Sequence, residues 1–212
     1  TGTGTISPKQ LNLALTGGAR FDKTYDGNAN VTQSLTKDRN YTLTNFVSGE
    51  GADIALAPVT GTYTDKNAGT GKAVTFGGLT LTGTGAGNYV LNKTALTGIG
   101  TIARRALTLG AVAAQSKTYD GTRAADASKF SAALNNAVAG DNVTAAAAGA
   151  TYNDHNVAAA RTIDYTGVSL GGSDAGNYSL AATAAQGEGR ITPKELNLAL
   201  TGGARFDKTY DG

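Results

Sequence analysis

Residues 8–27 read PKQLNLALTGGARFDKTYDG, and residues 193–212 read PKELNLALTGGARFDKTYDG. Nineteen of the twenty positions agree, and the exception is Gln10 against Glu195. Such agreement between segments 185 residues apart indicates a chain that repeats with that period. The stretch also carries the two local signals that decide the fold, an alternating apolar run (LNLAL) and a turn-forming ending (KTYDG).

A weaker repeat of about half that length lies inside the period. The KTYDG of residues 23–27 returns at residues 117–121 and again at residues 208–212. From Gly51 onward the two halves align without gaps at an offset of 89 residues, which matches Gly51 with Gly140. We therefore predict the end of a preceding repeat (residues 1–6), a first module (7–102), a second module (103–191) and the start of a next repeat (192–212).

Alternation of apolar with polar or small residues predicts short, half-buried strands along the chain. It is clearest at Leu11, Leu13 and Leu15, at Val74 and Phe76, and at Ile163 and Tyr165. The best helical pattern is at residues 124–138, where Phe130, Leu134 and Val138 are four residues apart. The expected fold is mostly β, with small β-sandwich or β-grasp-like modules in tandem, arranged as an elongated rod.

The junction between the modules has no Gly/Ser or polar spacer. Ile102, Leu107 and Leu109 have the pattern of core positions, so only residues 103–106 remain as a connection. A connection this short predicts a stiff junction.

Two short motifs recur in both modules and are predicted to be structural. An Asp-Gly pair favours a turn in which the Asp side chain accepts from backbone amides, and Gly-Asn favours a tight turn before an aromatic anchor. We expect the four motif tyrosines to be largely buried anchors. The motif residues are Tyr25, Asp26, Gly27, Tyr119, Asp120, Gly121, Gly87, Asn88, Tyr89, Gly176, Asn177 and Tyr178.

Composition and charge narrow the range of partners. Charged residues are 16% of the chain with a net charge of +2 and no basic stripe, which argues against nucleic acid. Cysteine is absent, which excludes thiolate chemistry and disulfides. No apolar run approaches the ~18 residues of a membrane span, so no membrane span is expected in these residues.

Candidate metal and catalytic residues are few. Oxygen ligands for calcium are present at Asp65 and Asn67, at Asp154 and Asn156, and at Asp141 and Asn142, but no oxygen-rich loop is formed. His155 is the only histidine, and its counterpart in the first module is Lys66. We expect no catalytic residue, no metal and no cofactor, and hence no enzyme. A Lys-Asn or Lys-Asp isopeptide bond at the repeated Lys23 or Lys117 is an alternative that stays open.

The motifs KTYDG, Tyr-x-Asp-x-Asn and Ala-Gly-Asn-Tyr-x-Leu occur in that order in both modules. In this the chain resembles the YDG repeats of filamentous-haemagglutinin-like bacterial surface adhesins. The resemblance implies a tandem array secreted to the bacterial cell surface, with a Gram-negative source, that serves attachment, aggregation or biofilm cohesion. It transfers no catalytic residue.

Two functions remain open at this point. The first is a structural stalk or spacer, whose partners are the neighbouring repeats of the same chain. The alternative is a repeated carbohydrate-binding module for exopolysaccharide or host glycan, in which repetition supplies avidity. An exposed aromatic cluster in a concave site distinguishes the second function from the first.

Overall fold

A computed structural model describes residues 2–199 and 207–212. The described residues form short strands and three 3₁₀-helices, and no α-helix is found among them. The strands are β1 (Lys9–Leu15), β2 (Lys23–Thr24), β3 (Tyr41–Thr44), β4 (Ala55–Leu56), β5 (Thr62–Tyr63), β6 (Gly69–Phe76), β7 (Leu81–Thr82), β8 (Tyr89–Leu91), β9 (Leu96–Ala103), β10 (Arg105–Val112), β11 (Gln115–Thr118), β12 (Ala132–Asn135), β13 (Thr144–Ala146), β14 (Gly149–Tyr152), β15 (Thr162–Thr166), β16 (Ser169–Gly171), β17 (Tyr178–Leu180) and β18 (Ala184–Thr192). The 3₁₀-helices are Ala86–Asn88, Ala127–Lys129 and Ala175–Asn177.

The first repeat contains three sheets. Their strand orders are β3-β1-β8, β2-β9-β6-β5 and β4-β7. Strand β1 is antiparallel to β3 and parallel to β8, and β9 is antiparallel to β6 and parallel to β2. The predicted alternation is present in β1, where Leu11 and Leu13 are buried and their neighbours are exposed.

The second repeat forms the same three sheets in the same order. They are β12-β10-β17, β11-β18-β15-β14 and β13-β16, so each strand of the first repeat has a counterpart. The mostly-β prediction is confirmed, and the internal repeat of the sequence is a repeat of topology.

The helical pattern at residues 124–138 does not form an α-helix. A single 3₁₀ turn, Ala127–Lys129, is followed by strand β12 (Ala132–Asn135). The Asp126 carboxylate accepts from the Ser128 N–H at 3.0 Å and starts this turn, and the buried Phe130 then packs on Tyr165 with ring centroids 4.8 Å apart. Sheet pairing at residues 132–135 therefore prevails over the local four-residue spacing.

The described residues divide into two compact units that do not coincide with the two repeats. Unit 1 contains the chain up to Gly110 together with Ala133–Ala145 and Ser169–Thr183. Unit 2 contains Ala111–Ala132, Ala146–Val168 and the described residues from Ala184 onward. The whole first repeat thus shares a compact unit with part of the second repeat.

The core of unit 1 draws on both repeats. From the first repeat it includes Phe21 and Phe76, whose rings are 4.7 Å apart, and from the second repeat it includes Leu107 and Tyr178. A single apolar cluster therefore extends beyond the end of the first repeat at Ile102.

Unit 2 buries apolar side chains of its own. Ile163, Tyr165 and Ile191 are buried there. Gln115 occupies the position of Phe21, and its amide donates to the Tyr165 hydroxyl at 2.6 Å. A hydrogen bond therefore replaces the Phe21–Phe76 ring contact at this place.

The connection between the repeats is shorter than the four residues expected. Strand β9 ends at Ala103 and β10 begins at Arg105, so only Arg104 lies between them. Ile102 and Leu107 are buried as predicted, but Leu109 is only partly buried.

Candidate functional site

The KTYDG motif forms a turn held by its own lysine. Gly27 has a φ of 84°, a left-handed conformation that favours glycine. The Asp26 carboxylate accepts from the Asn28 N–H at 3.2 Å, as an Asp-Gly turn predicts. The Lys23 ammonium donates to the same carboxylate oxygen at 2.6 Å and to the Asn28 carbonyl at 2.8 Å. The Lys23 side chain is only 3% exposed, so these hydrogen bonds hold the turn from its buried side.

The second copy of the motif repeats this arrangement. Lys117 donates to the Asp120 carboxylate at 2.8 Å, Asp120 accepts from the Thr122 N–H at 2.9 Å, and Gly121 has a φ of 78°. Both lysines lie beside a tyrosine ring, with Lys117 5.3 Å from the centroid of Tyr152. Sequence reasoning did not assign this role to the lysines, although their recurrence in each KTYDG copy was the available signal.

The turn carboxylates remain ionised. Burial raises the pKa of Asp26, but the Lys23 ammonium and the Asn28 N–H lower it more, and the net shift is downward. The hydrogen bonds from Lys117 and Thr122 lower the pKa of Asp120 to about 2. Each turn is therefore held by an ion pair between lysine and aspartate.

The Tyr25 hydroxyl connects the first KTYDG turn to the second repeat. It donates to the Asp141 carboxylate at 2.8 Å, across 116 residues of sequence. The Tyr178 hydroxyl donates to the same oxygen at 2.5 Å, and the Tyr25 and Tyr178 rings meet edge to face at 5.4 Å. Tyr25 is fully buried, as predicted.

Polar contacts around Asp141 extend this connection. The Lys66 ammonium lies 3.6 Å from Asp141 and 3.8 Å from Asp174. The Asn177 side-chain carbonyl accepts from the Ala68 N–H at 2.8 Å. We call the set Tyr25, Lys66, Asn67, Asp141, Asn177 and Tyr178 the repeat junction.

The junction combines a buried anion with phenols that donate to it. Burial raises the pKa of Asp141, but the Tyr178 and Tyr25 hydroxyls and the Lys66 ammonium lower it more, and the net shift is downward. Burial, followed by the Asp141 carboxylate, raises the pKa of both tyrosines. The carboxylate is therefore charged and the phenols are protonated at neutral pH, as these hydrogen bonds require.

The first repeat has an equivalent of Asp141 in Glu50. The Tyr89 hydroxyl donates to Glu50 and accepts from the Val47 N–H at 3.2 Å, just as the Tyr178 hydroxyl accepts from the Val138 N–H at 3.0 Å. The structure therefore pairs Glu50 with Asp141, whereas the ungapped alignment paired Gly51 with Gly140. The two-residue difference falls between Glu50 and Asp53, in an exposed loop that absorbs it.

The predicted burial of the four motif tyrosines is correct for three of them. Tyr25, Tyr89 and Tyr178 are buried, but the prediction is wrong for Tyr119, which is 36% exposed. Tyr25 is covered by Asp141 and Tyr178. Among the described residues, no ring or carboxylate covers Tyr119 in the same way.

The Gly-Asn-Tyr motifs form the predicted tight turns. Gly87 and Asn88 lie in the 3₁₀-helix Ala86–Asn88, which leads into β8 at Tyr89. Gly176 and Asn177 lie in Ala175–Asn177, which leads into β17 at Tyr178. Asn88 is exposed, whereas Asn177 is buried in the repeat junction.

The candidate calcium ligands have local structural roles. The Asp65 carboxylate accepts from Lys72 at 2.7 Å and from the Asn67 N–H at 2.8 Å. The Asp154 carboxylate accepts from the Asn156 N–H at 2.7 Å. Within residues 2–199 and 207–212, no group of three or more acidic, histidine or cysteine side chains is arranged to hold a metal ion.

A surface cavity of about 770 Å³ in unit 2 is lined by Gln115, Arg161, Glu188, Arg190 and small or aliphatic residues, with no aromatic side chain.

No helix in the described part of the chain is long and apolar enough to cross a membrane.

These observations define the class of protein: a β-rich chain of two topologically identical repeats, joined through buried side chains. The chain belongs to the YDG domain family, whose profile matches residues 7–96 and 103–185. No curated protein and no solved structure matches the chain.

Proposed function

We propose that the chain is a spacer segment of a secreted bacterial surface adhesin, in which β-sandwich modules follow one another as a stiff rod. The observation that carries the proposal is the Tyr25–Asp141 hydrogen bond at 2.8 Å, which ties the turn of one repeat to the next repeat. A segment that only keeps other parts of a protein apart and transmits force needs such contacts between successive modules. It needs no catalytic site.

The short connection supports the same function. With Arg104 alone between β9 and β10, the chain has no flexible linker at this point. The shared core of unit 1, which includes Leu107 and Tyr178, adds apolar packing to the polar contacts of the junction. Separating the repeats would expose these side chains to water, which opposes bending.

The distribution of tyrosines favours a spacer over a carbohydrate-binding module. Seven of the nine tyrosines are buried, which leaves Tyr119 and Tyr210 as the exposed ones. Sugar-binding sites commonly stack sugar rings on exposed aromatic side chains in a concave surface, and the 770 Å³ cavity has no aromatic residue. The burial of the ring faces therefore argues against glycan stacking as the repeated function.

Small-angle X-ray scattering of the whole chain tests the spacer. The longest strands, of eight residues in the first repeat and nine in the second, rise ~3.3 Å per residue to about 26–30 Å. With the loops at both ends we expect modules of roughly 35–45 Å and a rod of about 70–90 Å. A compact profile, or a broad distribution of shapes, contradicts the stiff spacer. A glycan array probed with the same protein tests the alternative, and reproducible binding to one glycan class would replace the spacer by a binding module.

A further inference from the structure

The second repeat presents a surface equivalent to the first-repeat side of the repeat junction. Tyr119 corresponds to Tyr25, and each donates its backbone N–H to the end of a strand, Tyr119 to Thr192 at 2.8 Å and Tyr25 to Ala103 at 2.9 Å. His155 and Asn156 follow β14 as Lys66 and Asn67 follow β5. We call Tyr119, Gly121, His155 and Asn156 the donor face.

The loops that carry the donor face are placed as in the first repeat. A β-bridge joins Ala124 to Thr151, as another joins Asn30 to Thr62. The turn after β14 is closed by Asp154 and Asn156, as the turn after β5 is closed by Asp65 and Asn67. Because these two loops are paired as their counterparts in the first repeat are, Tyr119 and His155 lie at the same end of the sheet.

The first repeat presents a surface equivalent to the second-repeat side of the junction. Val47, Glu50, Asn88 and Tyr89 correspond to Val138, Asp141, Asn177 and Tyr178. They line a cavity of about 370 Å³ together with Gly87 and residues 6–9. We call Val47, Glu50, Asn88 and Tyr89 the acceptor face.

The acceptor face is open, whereas its counterpart is covered. A Cβ atom placed on Gly27 would lie 2.9 Å from Val138, so the KTYDG turn of the first repeat packs against that side chain. Val47 is 46% exposed, and Ile6 beside it is 99% exposed. Among residues 2–199 and 207–212, donor and acceptor faces are thus the two uncovered halves of a contact that the chain already makes once.

We propose that the donor face docks on the acceptor face of a second copy of residues 8–192 that directly follows Thr192. The Tyr119 hydroxyl donates to Glu50 of the second copy, Gly121 packs on Val47, and His155 takes the position of Lys66 beside the carboxylate. The occupant is a second copy because residues 193–212 repeat residues 8–27 at nineteen of twenty positions. A copy that begins at residue 193 would carry the acceptor face directly after the donor face.

This junction differs from the first one in its ionic contacts. Lys66 lies between two acids, Asp141 and Asp174. In the proposed junction, Gly85 of the second copy stands where Asp174 stands in the first, so the second copy places one acid, Glu50, beside His155, which also lies 3.8 Å from Asp154 of its own repeat. The array would therefore alternate between two kinds of junction that share the tyrosine–carboxylate hydrogen bond. The proposal rests on the spacer function, because only a continuous array brings the two faces together.

The test uses the native chain and a linked chain in which residues 8–212 directly follow Thr192. Tyrosine nitration, read by mass spectrometry of the Tyr119 peptide, reports whether the phenol is covered. In the native chain we expect full modification of Tyr119. In the linked chain we expect about half, because one of the two Tyr119 copies is covered, while Tyr210, 91% exposed, is fully modified in both chains. Full modification of Tyr119 in the linked chain overturns the proposal.

A double-mutant cycle in the linked chain identifies the acceptor. Tyr119→Phe in the first copy is combined with Glu50→Gln in the second copy, and thermal unfolding is measured. We expect Tyr119→Phe to lower the midpoint by about 2–4 °C in the linked chain but not in the native chain, and to lose this effect once Glu50→Gln is present. Additive effects contradict the Glu50 contact.

The two proposals fail separately. If Tyr119 stays reactive in the linked chain while the native chain scatters as a rod, the spacer function stands and the docking of the second copy is wrong. A flexible native chain would refute the spacer function first.

Discussion

The Tyr25 hydroxyl donates to the Asp141 carboxylate at 2.8 Å, and the Tyr25 and Tyr178 rings meet edge to face with their centroids 5.4 Å apart. Tyr25 belongs to a KTYDG turn and Asp141 to a loop of the following repeat. Within its own repeat, the turn is stabilised by the ion pair between Lys23 and Asp26. Its tyrosine binds the following repeat through Asp141.

Removal of the Tyr25 hydroxyl is expected to destabilise the chain. Tyr25→Phe deletes a buried hydrogen bond to a charged group, which typically contributes ~1–3 kcal/mol. Tyr119→Phe is the matched control, because the same motif is 36% exposed there and the expected loss is close to zero. Urea unfolding of both variants measures the difference. Equal midpoints for the two variants would mean that the Tyr25 contact contributes nothing.

The pH dependence of the second KTYDG turn follows from Asp120. The Lys117 ammonium and Thr122 lower the pKa of the Asp120 carboxyl from its usual 3.8 to about 2. Because the folded pKa is depressed, the turn's contribution to stability is fully present above pH ~3.9 and is lost as the pH falls through about 2. Carbon-13 NMR titration of the aspartates should find the low value in the native chain and a higher one in Lys117→Met. An unchanged titration in the variant would exclude Lys117 as the main cause.

The local turns could be predicted from the sequence, but the partner of Tyr25 could not. Asp-Gly spacing predicts the Asx contact of Asp26, since donor and acceptor are two residues apart. Asp141 lies 116 residues further on, and no spacing rule connects it to Tyr25. The alignment also placed Asp141 opposite Ala52 rather than Glu50, which hid the repeated tyrosine–carboxylate pair.

The repeated stretch LNLAL shows why strand prediction from local sequence has a limit. At Lys9–Leu15 it forms β1 between β3 and β8. Alternation supplies an apolar face, whereas pairing partners from distant parts of the chain make it a strand.

We expect no isopeptide bond at Lys23. Its ammonium lies 3.2 Å from the Asn28 side-chain carbonyl, close enough to suggest attack on that amide. Attack by Lys23 Nζ on Asn28 Cγ would release ammonia and needs a free lone pair on Nζ, whereas Nζ donates to the Asp26 carboxylate at 2.6 Å and to the Asn28 backbone carbonyl at 2.8 Å. Intact-mass spectrometry of the purified chain should give the mass of the unmodified sequence. A mass lower by one ammonia, and its absence in Asn28→Ala, would establish the bond.

Calcium is expected to leave the stability unchanged. Asp65 is engaged by Lys72 and by the Asn67 N–H, and Asp154 by the Asn156 N–H, so neither loop offers the six to eight oxygen ligands that calcium takes. Thermal unfolding in millimolar calcium and in chelator should give the same midpoint. Magnesium at equal concentration controls for ionic strength. A rise specific to calcium would identify a site that these loops form on binding.

The single-residue connection at Arg104 is expected to strengthen the repeat junction. Inserting about eight Gly and Ser residues between Ala103 and Arg105 leaves every junction side chain in place but turns a rigid connection into a flexible one. The Tyr25 turn must then find Asp141 from many relative positions, and the lost entropy weakens the contact. We expect Tyr25→Phe to cost clearly less in the inserted chain than in the native chain, as measured by urea unfolding. The control is the same insertion between Gly17 and Gly18, an exposed turn where an added Cβ atom meets nothing within 4 Å. There the cost of Tyr25→Phe should match that in the native chain. If the insertion after Ala103 leaves the cost of Tyr25→Phe undiminished, the junction is held by its side chains alone and the short connection does not contribute to its stiffness.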